Sequence, residues 1–452
     1  MTTTEQGSSF PLAIEGREAL EAAAREGRAL TPTERAVAMV EAYTAEEAAE
    51  RTLENEMLMD QRAGTRKPMI INLGPQHPST HGVLRLITEM DGEVIANITP
   101  VIGYLHTGIE KQCENKTWWQ AITLVTRMDY LSPFFNIHAY TMAAEKLLGL
   151  EIPPRAEWLR VLISELNRLT SHLVWLGTSS LDLGAITVFF YTFRERDAAL
   201  DLFEMVSGER MNNRYFQVGG CAEDIPPGFV ERLSDFLDRM PARIDEYESL
   251  LTNNPIWIDR TRGIGVLPAG ELIAMGVTGP PLRAAGVPHD LRKSQPYSGY
   301  EHFQFDVATG THGDAYDRYL VRVREMRESV KIMRQCLDGL PEGPWIADDR
   351  KVVLPPRAEL AYSMEALIHH FKLVSEGFTV PEGEVYVSVE GPRGEMGCYL
   401  VSDGGPKPYR CHMRDPSFVN LQALTHMAKG SYLADLIVTI GSLDPVMGGV
   451  DR

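Results

Sequence analysis

His77 and His81 are spaced H-x3-H in the stretch GPQHPSTHG, residues 74–82. On a helix this spacing would put both imidazoles on one face, where they could ligate a metal. Pro75, Pro78 and Gly82 argue against a helix, and no acidic third ligand follows. Two other readings stay open. One is a turn whose histidines cap backbone groups. The other is a rigid hairpin loop that presents a titratable imidazole to a substrate. Tyr130 lies in TRMDYLSPF with Arg127 three residues before it, and its phenol is either a packed core group or a hydrogen-bond donor. Asp182 is the single charge in the 21 residues 173–193 (LVWLGTSSLDLGAITVFFYTF), so it is either a paired structural carboxylate or a functional one. Glu165, Arg168 and His172 repeat at helical spacing and read as a buried or interface ion-pair stripe rather than a catalytic set. His302, His312, His369 and His370 read as structural or exposed. No Walker loop, GxSxG, HExxH or strand-linked GxGxxG occurs, so the chain is not expected to be a nucleotide enzyme by itself.

The elements that must position these groups fall into four segments. Residues 1–66 hold Ala- and Glu-rich helical stretches at 15–28 and 33–60; 13 acids against 5 arginines in the first 60 residues make an acidic extension. Residues 67–107 form a small antiparallel β domain. Its strands are expected at 69–73, 83–90 and 93–103, with Asp91-Gly92 as a two-residue hairpin turn. A helical core spans 108–376, with helices expected at 108–131, 134–149, 155–177, 187–207, 227–250, 314–339 and 356–375. In the helix 155–177 Trp158, Leu162, Leu166, Leu169, Leu173 and Leu176 make an apolar stripe. A C-terminal α/β extension, 377–452, carries a hairpin within 378–403. The fold class is therefore α+β, mainly α: a helical bundle with small sheets near both ends. The apolar stretch 173–193 is just long enough for a membrane span, but Gly177-Thr178-Ser179-Ser180 and Asp182 interrupt it. It is expected to be two buried segments around a polar break.

The 452 residues are 44% hydrophobic and 23% charged, with net charge −18. That balance excludes nucleic acid as a partner and docking on anionic lipid through the chain's own charge. Five cysteines, Cys113, Cys221, Cys336, Cys398 and Cys411, lie far apart with no CxxC pair, against a disulfide framework or a self-contained metal or iron–sulfur site. The first residues show no export or mitochondrial signal, which points to a reducing, cytoplasmic setting.

A series of motifs then carries a resemblance. In order they are GPQHPSTHGVLRL, GYLHTGIEK, TRMDYLSPF, PPRAEWLRVLISELNRL, SLDLGA, LTNN, DLRKSQPY, GDAYDRYLVRVREMR, MEALIHHFK, LVSDGGPKPYRC and the terminal GGVDR. From about residue 69 to the end this resembles the D subunit of NADH:quinone oxidoreductase, respiratory complex I. The resemblance implies the fold of the nickel–iron hydrogenase large subunit without its metal, and the CxxC pairs that a nickel site needs are absent here. It implies a quinone-headgroup pocket shared with the [4Fe–4S] protein of the complex, the B subunit. It also implies contacts with the C and I subunits and with the membrane-embedded H subunit, and a peripheral position on the cytoplasmic side of a bacterial membrane. No cofactor would be bound by this chain; FMN, the iron–sulfur clusters and NADH would belong to partner subunits, with menaquinone or ubiquinone as substrate.

By the same resemblance His81 and Tyr130 would bond the two headgroup oxygens, and Asp182 would pair with His81 and favour its imidazolium form. His77, Thr178, Arg127 and His172 would line or support the pocket. Two positions depart from the pattern: Thr107 stands where many relatives carry Arg, and Asn212 where they carry His, both near the partner's terminal cluster. Without that titratable histidine the cluster potential is expected to depend less on pH. The resemblance further implies coupling of quinone reduction to proton translocation. The rival readings are a hydrogenase-like complex with a related large subunit and an assembly subunit with no part in the pocket.

Overall fold

The structure, a computed structural model, describes residues 69–452 apart from Pro78 and Thr80. The acidic extension and its expected helices lie outside the described residues. Three strands, β1 (Met69–Leu73), β2 (Arg85–Asp91) and β3 (Val94–Val101), form an antiparallel sheet in that order. Register runs from Leu73↔Leu86 to Asp91↔Val94, with an irregularity at Glu89/Met90. Alternate β2 side chains, Leu86, Thr88 and Met90, are buried, as a strand covered on one face requires. The connection between β1 and β2 carries His77 and His81. The covered face packs with Leu421, Leu424, Leu436 and Ile440, so the first described element shares a core with the last ones.

The longest helix, Pro154–Asp182, starts with proline at its first position, where the missing N–H costs nothing. It packs against helices Ile186–Ser207, Ala315–Gly339 and Leu433–Leu443. The expected apolar stripe is buried apart from a half-buried Trp158, and so are Glu165, Arg168 and His172. The helix is therefore covered on nearly every side. A C-terminal sheet, Gly383–Gly391, Gly394–Ser402 and Arg410–Arg414, adds a third strand to the expected hairpin.

Three expectations need correction. The polar run 177–180 does not break the long helix. The Thr178 hydroxyl donates back to the carbonyls of Val174 (3.0 Å) and Trp175 (3.2 Å), and Ser180 to that of Gly177 (2.8 Å), so the hydroxyls are satisfied inside the helix. The turn comes later, at 183–185, before helix Ile186–Ser207 begins. The helix expected over 108–131 is two, Ile109–Cys113 and Trp118–Val125, the second capped by a Thr117/Gln120 capping box. A turn then presents Asp129 and Tyr130. Likewise 356–375 divides into a 3₁₀ turn, Arg357–Ala361, and the helix Met364–Ser375. The five cysteines are all free and buried. Among the described residues no helix is long and apolar enough to cross a membrane.

The chain ends in a short helix, Met447–Asp451, whose glycines permit close approach. A Cβ at Gly448 would overlap the Met128 carbonyl and come within 2.9 Å of the Arg127 carbonyl. Backbone cannot rotate away, so Gly448→Ala is expected to cost roughly 1–3 kcal/mol through overpacking. Gly441→Ala, whose new methyl would meet nothing closer than 3.5 Å, should be neutral or stabilising by up to about 1 kcal/mol. Thermal unfolding of the two variants checks the contrast.

Candidate functional site

The site is built around one buried arginine. Arg393 sits at the tip of the hairpin between the first two strands of the C-terminal sheet, 1% exposed. Its Nη1 donates to Asp129 (2.9 Å), Ser132 Oγ (2.9 Å) and Ser171 Oγ (3.0 Å). Its Nε donates to the Asp444 carbonyl at 2.9 Å, and its Nη2 lies 3.1 Å from the Asp444 carboxylate. Burial opposes the charge, but Asp129 and Asp444 more than offset that and raise its pKa.

Two of the residues expected at the site lie within the electrostatic reach of this cation. His81 is half-buried in left-handed backbone, φ 48°, and its Nε2 is buried with no hydrogen-bond partner among the described residues. Burial first, and Arg393 second, push its imidazole down to about 4, so the ring is neutral at physiological pH. Tyr130 is half-buried on the turn beside Asp129; burial and the Asp129 carboxylate raise its phenol, which stays protonated. Arg393 acts on both rings.

Asp182 ends the long helix. Its carboxyl is pushed up to about 6 by burial, countered in part by His77. His77 is an imidazole that acts on Asp182, and burial and Arg393 disfavour the imidazolium expected for His81. His77 Nδ1 also lies 2.7 Å from Ser79 Oγ, which fits the reading of a histidine that stabilises its own turn. Thr178 is one turn before Asp182. A cleft with room for about one water molecule (about 20 Å³) lies beside Asp182, lined by Trp175, Ser179, Trp257, Gly441 and Ser442.

The other expected residues are not among the groups bonded to Arg393. Arg127 is exposed, its guanidinium bonded to the Thr123 carbonyl. Thr107 is exposed in the loop 102–108, which Asp451 holds through the backbone N–H groups of Gly103 (2.8 Å) and Leu105 (2.7 Å). Asn212 has φ 55° and a buried Oδ1 with no hydrogen-bond partner among the described residues. His172 belongs to a second buried network. Its Nε2 donates to Glu325 at 2.9 Å, Glu325 binds Arg283 (2.8 Å), and Arg283 binds Glu390 (2.6 Å). Glu165 pairs with Arg168 and Arg292 at 3.1 Å each, so the ion-pair reading of that stripe holds. Sequence reasoning missed Arg393, Asp129 and Asp444. Asp129 stood inside a motif already singled out; nothing local marks a hairpin-tip arginine as buried. Among the described residues no group of His, Cys, Asp and Glu is arranged to hold a metal ion.

Comparison with known proteins agrees with this architecture. The family model described as the 49 kDa subunit of respiratory-chain NADH dehydrogenase matches residues 182–452. The D 2 subunit of NADH-quinone oxidoreductase from Chloroflexus aurantiacus is 58% identical over 393 residues, 86% of this chain and 96% of the relative. The D 2 subunit from a Roseiflexus species is 58% identical over 86% of this chain and 94% of its own length. The D subunit of the same oxidoreductase from Acidothermus cellulolyticus is 55% identical over 85% of this chain and 91% of its own. The chain belongs to the 49 kDa, or D-subunit, family of respiratory complex I. Its partners are the other subunits of that complex.

His172 generates a pH prediction. Burial lowers its pKa from 6.5 to about 4, outweighing the Glu325 hydrogen bond. The unfolded chain therefore binds the extra proton between those values, and stability falls as pH drops from 6.5 toward 4. A shift of that size corresponds to roughly 3 kcal/mol. His172→Gln, which can still donate to Glu325, should show a shallower loss of thermal stability across that window.

Proposed function

We propose that this chain supplies one wall of a quinone-headgroup pocket, where His81 and Tyr130 serve the two carbonyl oxygens. The observation that carries the reading is the pairing of a buried, unsatisfied imidazole nitrogen and a protonated phenol around one guanidinium. Reducing a quinone to a quinol takes two electrons and two protons. The electrons come from NADH through FMN and iron–sulfur clusters held by partner subunits. The protons must come from groups within hydrogen-bond reach of the oxygens.

Tyr130 brings an O–H whose raised pKa keeps its proton until charge builds on the substrate oxygen. His81, neutral in the resting site, acts as a hydrogen-bond partner rather than as a standing cation. Near Arg393 its protonation is disfavoured, so it gains no proton without a negative neighbour. Asp182, whose carboxyl burial pushes up to about 6, stands at the end of the long helix, and a change in its charge state is the link to proton translocation. The far wall belongs to the [4Fe–4S] protein, the B subunit. The C, I and H subunits complete the surroundings and hold the chain on the cytoplasmic face of the membrane. Thr178 and Arg127 line or support the pocket, and Thr107 and Asn212 lie toward the partner's cluster.

The test is Tyr130→Phe in membranes. NADH oxidation with quinone should fall by about 10²-fold or more, the usual worth of a positioned proton donor. Oxidation with a hydrophilic acceptor that takes electrons upstream should be retained. If both rates survive, Tyr130 is a packing residue and the chain acts in assembly rather than in the pocket.

A further inference from the structure

The short helix Met447–Asp451 backs the turn that carries Tyr130, and it does so with bare backbone. Its Gly448 abuts that turn: a Cβ there would overlap the Met128 carbonyl and come within 3.0 Å of the Tyr130 ring. On the other side, a Cβ at Gly449 would overlap the Asp415 carboxylate. The helix is thus wedged between two other parts of the chain, and two consecutive glycines let it fit.

The same glycines make it a weak helix. Five residues are too few to sustain helical backbone by themselves, and each glycine adds conformational entropy that must be lost. Met447 and Val450 are buried in the apolar cluster that includes the covered face of the first sheet. Apolar burial is non-directional, so it keeps the helix attached without fixing where Gly448 lies. Directional bonds must do that.

Asp451 supplies most of them. It is 7% exposed and stands three residues after Gly448. Each of its carboxylate oxygens accepts one backbone N–H, Oδ1 from Gly103 at 2.8 Å and Oδ2 from Leu105 at 2.7 Å. Its own carbonyl accepts from His106 Nδ1 at 2.7 Å. The loop 102–108 that donates these bonds is exposed but tied down in turn. It continues β3, the Gln112 amide donates to the Thr107 carbonyl at 2.6 Å, and Arg85 of β2 donates to the Tyr104 hydroxyl at 3.3 Å. Two single bonds flank the clamp: the Val446 N–H donates to Ser417 Oγ at 3.3 Å, and Arg452 donates to the Met413 carbonyl at 2.7 Å.

We propose that Asp451 is a positioning residue for Tyr130. By clamping the terminal helix to the loop 102–108 it holds Gly448 against the turn 127–130, and so fixes where the phenol points. This rests on the quinone reading above. Asp451 acts through backbone alone, since both carboxylate oxygens are engaged by the loop. The clamp needs a carboxylate. Two N–H groups converge on it, whereas asparagine offers one acceptor oxygen and turns an NH2 group toward the second N–H, donor against donor. With the clamp half open, Gly448 is free to shift, and the phenol is less often in line with the substrate oxygen. Such a loss of alignment is felt in turnover rather than in substrate affinity.

The experiment measures quinone-linked NADH oxidation in membranes, with the upstream acceptor in parallel, for Asp451→Asn in the parent and in the Tyr130→Phe background. In the parent, kcat with quinone should fall by about tenfold or more, with KM for quinone moved by less than about threefold and the acceptor rate retained. In Tyr130→Phe the same substitution should cost nothing further, because the group it positions is gone. An unchanged quinone rate in Asp451→Asn overturns the proposal, and so does a loss of equal size in both backgrounds. If the acceptor rate is lost as well, the complex has not assembled and His106→Ala takes its place, since that side chain is exposed and its removal takes one bond from Asp451. His106→Ala should lower the quinone rate by roughly threefold in the parent alone. No loss, or the same loss in both backgrounds, overturns the proposal. Tyr130→Phe by itself separates the two levels: retention of its quinone rate removes the pocket reading and this inference with it, whereas its loss beside either overturning result removes only this inference.

Discussion

A guanidinium withdrawn from water is the constraint on which the described site depends. Arg393 has no route to solvent, so its charge must be met by carboxylates brought from other parts of the fold. Asp129 comes from the turn after the helix Trp118–Val125, and Asp444 from the end of the helix Leu433–Leu443, in left-handed backbone with φ 55°. The hairpin tip is held from below as well, because Asn420 donates to the Arg393 carbonyl at 3.0 Å. Removing either acid would strand a buried cation, a far larger penalty than losing a surface pair. The turn that carries Tyr130 is thus fixed by its neighbour Asp129 rather than by the tyrosine.

The same cation explains the division of labour among the titratable groups. His81 faces a positive charge and is neutral, whereas Tyr130 faces both Arg393 and a carboxylate and keeps its proton. Asp182, farther along, responds to His77 and to burial. Placing the titratable groups in distinct electrostatic surroundings separates their roles. It also keeps the proton-holding groups of the site from ionising together.

Behind the site, the long helix Pro154–Asp182 is anchored by charge as much as by packing. Glu165 accepts from Tyr300 (2.6 Å) and Ser329 (2.7 Å) besides its two arginines, and His172 reaches Glu325 on the helix Ala315–Gly339. A connected buried network of this kind penalises any slip of the helix, because the paired donors would lose their acceptors. The end of that helix, with Thr178 and Asp182, is held in place as a consequence.

Local chemistry made much of this legible in the sequence. Alternation and Asp91-Gly92 marked the first sheet, 3.6-residue periodicity marked the long helices, and Pro75, Pro78 and Gly82 turned the two histidines from a helical metal pair into a loop. The run of motifs marked the family. What escaped the sequence depended on partners remote in the chain. The run 177–180 read as a break because glycine and hydroxyl residues weaken a solvated helix, yet here the hydroxyls turn inward and Ser179 lies 3.4 Å from the Gly441 carbonyl. Arg393, in a Gly-Pro-Arg-Gly turn, carries no local sign of burial, and only the meeting with Asp129 and Asp444 accounts for it. That His77 acts on Asp182 likewise depends on the closed fold. Propensity and pattern are set by near neighbours along the chain, but the charge state of a buried group is set by its neighbours in space, and those exist only once the chain has closed on itself.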